Sequence, residues 1–198
     1  MATQLITRAP RAHPMYLVDP ATETDIGIGG AGIPVGAIAN PSSSFSVPNS
    51  AATYAVGDLI ANSATAGSVT PLTFAGVARA AAGAASIIKA RLSKTGTGTT
   101  GAAFILHLYS ASPTPSNGDD GAWLTNQAAN YLGAFEFSLA NMRVFTDGVS
   151  CNGITLTGYP VTVDLSSGTT IYGLLEARGA YVRTAAETFT VTLEVEQE

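Results

Sequence analysis

The sequence predicts an all-β protein: an antiparallel β-sandwich of jelly-roll or Greek-key type carrying an extended N-terminal arm. Three observations predict it. Four short apolar segments follow one another between Tyr54 and Tyr109 with only turn chemistry between them. The final segment, 188–195, alternates cleanly, with Phe189, Val191, Leu193 and Val195 on one face and Thr190, Thr192 and Glu194 on the other. Six prolines before residue 50 deny that stretch a long helix or a central strand, because proline lacks a backbone donor and pushes its predecessor toward extended geometry.

In chain order, residues 1–50 read as the arm and 51–198 as the sandwich. Pro10, Pro14, Pro20, Pro34, Pro41 and Pro48 punctuate the arm. Its apolar groups Met15, Tyr16, Leu17, Val18, Ile33 and Val35 need a surface to cover them, which makes them candidate interface residues. The four segments are 58–62, 71–79, 86–94 and 102–109. The gaps at 64–67, 81–83 and 95–99 hold the Gly and small polar residues that reverse a chain, so these strands are expected to pair as hairpins. An alanine-rich run over 74–90 invites a helix, but Gly76 and Gly83 interrupt it and no 3.6-residue repeat is sustained, so two strands around a turn are expected. Residues 110–121 form the longest turn-rich loop, with Asn117-Gly118 favouring positive φ, and 122–130 has room for a turn or two of helix. Further strands are expected at 131–139, 153–156, 159–163, 170–177 and 188–195.

Charged residues make up only 12% of the chain while apolar ones reach 46%. A surface finished with Ser, Thr, Ala and Gly resists association poorly and suits a chain packed against other chains. The net charge of −5 lacks the basic footprint of a phosphate binder, so no nucleic acid partner is expected. Cys151 is the single cysteine, which leaves no internal disulfide and reads as a small hydrophobe. Arg8 and Arg11 are followed by no apolar run, and no segment approaches the roughly 18 apolar residues of a membrane span. A protein made in the cytoplasm, with no membrane partner, is the expectation.

The motifs in the chain that could carry chemistry lack their structural requirements. Residues 27–32 spell the glycine pattern of a dinucleotide fingerprint, yet Pro34 and Pro41 forbid the helix start that the pyrophosphate needs. No cofactor is expected. His13 and His107 are the only histidines. His13 adjoins a proline, and His107 is read as projecting from its strand to hydrogen-bond at a surface or interface. These residues supply neither a hydrolytic triad nor ligand spacing for zinc. Asn117, Asp119 and Asp120 offer oxygens, and 116–123 is similar to the aspartate box of sialidase-like propellers, but with spacing off by one and no repeat. A solvated turn is the simpler reading, with no metal. Acidic residues stand one to a turn or strand, without the facing pair of a glycosidase, and no catalytic residue is assigned. Tyr109 and Trp123, beside the long loop, are the aromatics expected to escape core packing and to anchor a protein or stack on a sugar.

The blocks 53–62, 71–74, 77–79, 87–92, 104–114 and 130–133, taken in order, resemble tailed-bacteriophage head decoration, or cement, proteins encoded near the major capsid protein. The resemblance covers roughly residues 50–197 and implies a β-rich, non-enzymatic virion component on the capsid surface. It implies the major capsid protein as partner and a homotrimer as assembly. The alternative expectation is a head-fibre or tail-tip protein that binds host glycans through the loop at 110–123.

Overall fold

The computed structural model describes residues 37–125, 127–138, 140, 142–144, 151–154 and 160–198. These form twelve strands in two antiparallel sheets, with 3₁₀ turns at Ala66–Ser68 and Ala128–Asn130 as the described helical elements. The all-β sandwich expected from the sequence is what the chain adopts.

The strands are β1 (Ala37–Ala39), β2 (Ser42–Ser46), β3 (Leu59–Ile60), β4 (Leu72–Phe74), β5 (Ala84–Lys94), β6 (Phe104–Tyr109), β7 (Tyr131–Phe137), β8 (Arg143–Val144), β9 (Cys151–Ile154), β10 (Val161–Asp164), β11 (Ile171–Ala177) and β12 (Thr188–Gln197). One sheet runs β1-β12-β5-β9-β8, with β2 also on β12 and β10 also on β5; the other runs β3-β11-β6-β7, with β4 also on β11. The long strands share a device: one edge meets a long partner and the other meets two short strands placed end to end. Beside β11 lie β3 at Leu175–Glu176 and β4 at Ile171–Gly173. Beside β12 lie β2 and then β1, and beside β5 lie β10 and then β9.

Two expectations change here. The four consecutive segments do not pair as hairpins. β3 and β4 both dock on β11, β5 crosses to the other sheet, and β6 crosses back. Turn-rich gaps reverse a chain equally well across a sandwich as along a sheet, so gap composition alone does not tell a hairpin from a crossing. The boundary near residue 50 also moves, because β1 and β2, taken from the segment read as arm, are hydrogen-bonded edge strands. Pro41 sits between them, where a missing donor costs nothing and its carbonyl still accepts from Leu193 N at 3.0 Å.

The core fills the space between the sheets. Phe189, Val191, Leu193 and Val195 are all buried, as the alternation predicts, and face Phe104, Leu106, Phe135 and Phe137. Phe104 meets Phe189 edge-on at 5.7 Å and Tyr181 edge-on at 5.3 Å, the arrangement that aromatic quadrupoles favour. A bulge in β5 shifts its parity: Ala85 and Ile87 point inward before it, and Ala90, Leu92 and Lys94 after it. That shift drives a lysine into the core.

Lys94 and Glu187 are fully buried and paired at 3.0 Å. Lys94 Nζ also donates to Gly96 O at 2.6 Å and lies 4.9 Å from the centre of the Tyr181 ring, while the Tyr181 hydroxyl donates to Glu187 Oε2 at 2.6 Å. The Tyr181 ring stacks on Tyr54, whose hydroxyl donates to Asp119 Oδ1 at 2.7 Å. Arg183 Nη1 pairs with the other oxygen of Asp119, and its remaining nitrogens reach Ser50 O and Oγ. Two buried ion pairs joined by stacked tyrosines thus tie together Ser50, the long loop and the approach to β12.

Candidate functional site

The inward residues of β6 are Phe104, Leu106 and Leu108, so Ile105, His107 and Tyr109 point from the opposite face of the five-stranded sheet. Ordinarily such a face meets solvent. Here the long loop folds back over it. Its 119–123 backbone runs beside β3, with Leu59 N donating to Gly121 O and Trp123 N to Gly57 O, both at 2.7 Å. Gly118 is needed for close approach, since a Cβ there would collide with the Ala64 carbonyl; the positive φ expected at this turn belongs instead to Asp120, at 64°. The covered patch is a second apolar cluster of Leu59, Ala61, Tyr109 and Leu174, with Val69, Trp123 and Tyr172 packed on it.

A bulge between β6 and β7 sets the patch geometry. Leu108 pairs with Gly133 but Tyr109 with Tyr131, so Leu132 is the extra residue and the two tyrosine rings come within 5.5 Å. His107 stacks on Trp123 with ring centres 4.0 Å apart. The rings of Tyr109, Trp123 and Tyr131, with Thr125 and Ala128, line a cleft of about 210 Å³. Among the described residues, the buried Tyr109 hydroxyl and Trp123 Nε1 find no hydrogen-bond partner. Burial, with the Tyr131 oxygen and the Glu176 carboxylate nearby, pushes the Tyr109 hydroxyl above its ordinary range, so it remains a neutral donor.

Behind the aromatic rings lies a short polar relay. Glu176 Oε2 is 2.7 Å from His107 Nε2, Glu176 Oε1 accepts from Arg178 Nη1 at 3.1 Å, and His107 Nδ1 is 3.2 Å from the Tyr131 hydroxyl. The carboxylate only accepts, so His107 carries its proton on Nε2 and offers Nδ1 as an acceptor. Tyr131 therefore donates to Nδ1. Burial lowers the His107 pKa, an effect that Glu176 opposes and Arg178 adds to. Desolvation and Glu176 raise that of Tyr131, so this hydroxyl is no activated nucleophile.

The lowered His107 pKa has a defined sign. Below about pH 6.5 the unfolded chain takes up a proton that the folded chain resists, so stability is complete above that value and declines as pH falls through the window beneath it. The melting temperature of the native chain is expected to drop more between about pH 7.5 and about pH 5.5 than that of His107→Gln, since the remaining carboxylates titrate in both. Equal drops would show that His107 does not govern this range.

Of the residues singled out in the sequence, Tyr109 is buried rather than displayed and Trp123 is half-buried, yet the two meet in one cleft. Met15, Tyr16, Leu17, Val18, Ile33 and Val35 lie outside the described residues. His107 does project from the outer face, but the loop covers it and only 7% of it is exposed. Tyr131 and Glu176, which sequence reasoning placed in strands without a role, complete the site. The faint signal was the opposite-face parity of Glu176 with Leu175; Tyr131, four residues before Phe135, counts onto the inner face and reaches the site only through the extra residue Leu132. Asp119 is no ion ligand, because its two oxygens accept from Tyr54, Ala61 N and Arg183. Among the described residues no helix is long and apolar enough to cross a membrane. No protein-family model and no curated protein matches the chain.

Proposed function

We propose that the chain is a virion structural protein that binds the outer surface of a tailed-bacteriophage capsid and stabilises the shell, without enzymatic activity. The sequence blocks that resemble head decoration proteins motivate the reading. The observation that carries it is the outer face of the seven-stranded sheet. Ser42, Ser44 and Ser46 of β2 stand opposite Thr192, Thr190 and Thr188 of β12, and Ser93 of β5 continues the row beyond Thr190. Ser46 and Thr188 are linked hydroxyl to hydroxyl at 2.7 Å, and Ser42 and Thr192 at 3.1 Å.

This strip of hydroxyls, bordered by Arg91 opposite Thr192 and by the Lys89–Glu194 pair, loses water at small cost, because a hydroxyl exchanges one hydrogen bond for another, whereas each buried charge costs several kcal/mol. It suits a protein that covers a repeated lattice through many modest contacts, where avidity replaces a single strong interface. The partner is the major capsid protein, and the chain acts as a homotrimer.

Shells lacking the protein, mixed with purified chain and sedimented, are expected to carry it down and to withstand higher temperature. Light scattering of the free chain is expected to give three times its 20.1 kDa mass. The double variant Ser44→Arg/Thr190→Glu places a cross-strand ion pair on the face, keeping the fold but charging the surface. Its retention on shells is expected to fall by at least about tenfold. Native chain that stays in the supernatant would overturn the proposal, and undiminished retention of the variant would move the contact off this face.

A further inference from the structure

We propose that the cleft formed by Tyr109, Trp123 and Tyr131 is a binding site for one neutral sugar ring. Its size comes first. About 210 Å³ lies below the roughly 300 Å³ at which pockets for drug-sized ligands begin, and leaves room for one pyranose, not for a chain buried along its length. Three aromatic rings supply the walls. Their faces are electron-rich, so they attract the weakly positive C–H groups that a pyranose presents on its apolar face.

The polar demands of the cleft then narrow the ligand class. Tyr109 OH and Trp123 Nε1, on two residues that line the cleft, are buried donors without acceptors among the described residues, each a cost of about 1–3 kcal/mol, and a guest that parts the rings reaches them. Tyr131, held as donor to His107 Nδ1, has its oxygen free to accept. The site therefore asks for a ligand that both accepts and donates around a small ring, as a polyol does. A purely apolar guest would leave both donors unsatisfied. An anionic guest would find no cation, since neither Lys nor Arg lines the cleft and Arg178 is engaged by Glu176. The base of a nucleotide would stack, but the phosphates would meet a chain of net charge −5.

Trp123 is the single tryptophan of the chain, so its emission reports on the cleft alone. The full chain is titrated with the methyl glycosides of glucose, galactose, mannose and N-acetylglucosamine, with N-acetylneuraminic acid as the anionic arm and cyclohexanol as the arm with a single hydroxyl. Emission and calorimetry are read in parallel. At least one neutral glycoside is expected to bind saturably with Kd of about 0.1–10 mM, and the acid and cyclohexanol at least about tenfold more weakly. Tyr131→Ala is expected to weaken the best sugar by at least about tenfold. Tyr109→Phe should weaken it by about 5–10-fold while raising the melting temperature of the free protein, because it deletes a hydroxyl that lacks a partner until sugar arrives. That opposition of signs is not produced by a merely structural role. The proposal is overturned if no glycoside saturates either signal up to about 100 mM. It is equally overturned if cyclohexanol binds as well as the best sugar, or if Tyr109→Phe binds it undiminished. Sugar binding and shell binding are measured separately, and either result stands without the other.

Discussion

Replacing Lys94 with Met is expected to destabilise the fold by about 3–5 kcal/mol, the usual consequence of stripping one partner from a buried ion pair. Glu187 would keep its charge in a fully buried position, with the Tyr181 hydroxyl as its remaining donor, and the Gly96 carbonyl would lose its ammonium. For a chain of this length the melting temperature should fall by roughly 6–20 °C. The double variant Lys94→Met/Glu187→Gln leaves no buried charge at this pair and is expected to lose less than the two single variants added together. Urea unfolding of the four proteins gives the comparison. A loss below about 1 kcal/mol for Lys94→Met would show that the buried-charge account is wrong.

The second large effect concerns the N-terminal boundary. Removing residues 1–36 is expected to leave the β spectrum and cooperative melting intact, whereas removing residues 1–50 should destabilise the domain by at least about 5 kcal/mol, enough to unfold many domains. The longer deletion takes β1, β2, the buried Val47, Phe45 stacked 5.7 Å from Phe189, and the Ser50 acceptors of Arg183. It also bares an edge of β12 for pairing with other chains. Circular dichroism and urea melts of the two truncations decide the point. Equal stability would mean that β1 and β2 are dispensable trim.

What the sequence made legible followed strict parity. β12 alternates without interruption, and each of its expected inward side chains is buried. The reading of 74–90 as two strands around a turn also matches β4 and β5, because Gly76 and Gly83 break any helical stripe. Parity failed where a bulge inserted one residue. Lys94 reads as a surface charge by counting from Ile87, yet the β5 bulge turns it inward. Tyr109 and Tyr131 meet for the same reason, through the extra residue Leu132. A bulge is written in the partner strand as much as in its own, so a local pattern does not announce it. The cover over His107 was hidden too, because the long loop's hold on β3 rests largely on backbone hydrogen bonds, which no side-chain pattern announces. Composition pointed to Tyr109 and Trp123, and topology supplied Tyr131, His107 and Glu176.

The end-to-end strands on β11 and β12 set an order of events during synthesis. β3, β4 and β6 all take β11 as a partner, and β1, β2 and β5 all take β12. A nascent chain leaves the ribosome N-terminus first, so six strands emerge well before the residues that will hold them, and β6 and β7 are one of only two pairs among the described strands that join successive strands. Until residues 171–197 are available, these segments expose unpaired amides and carbonyls in the crowded cell, where chaperone engagement and self-association compete with folding. The domain is expected to close late and nearly all at once, with β12, the last of the described strands, as the seam along which it shuts.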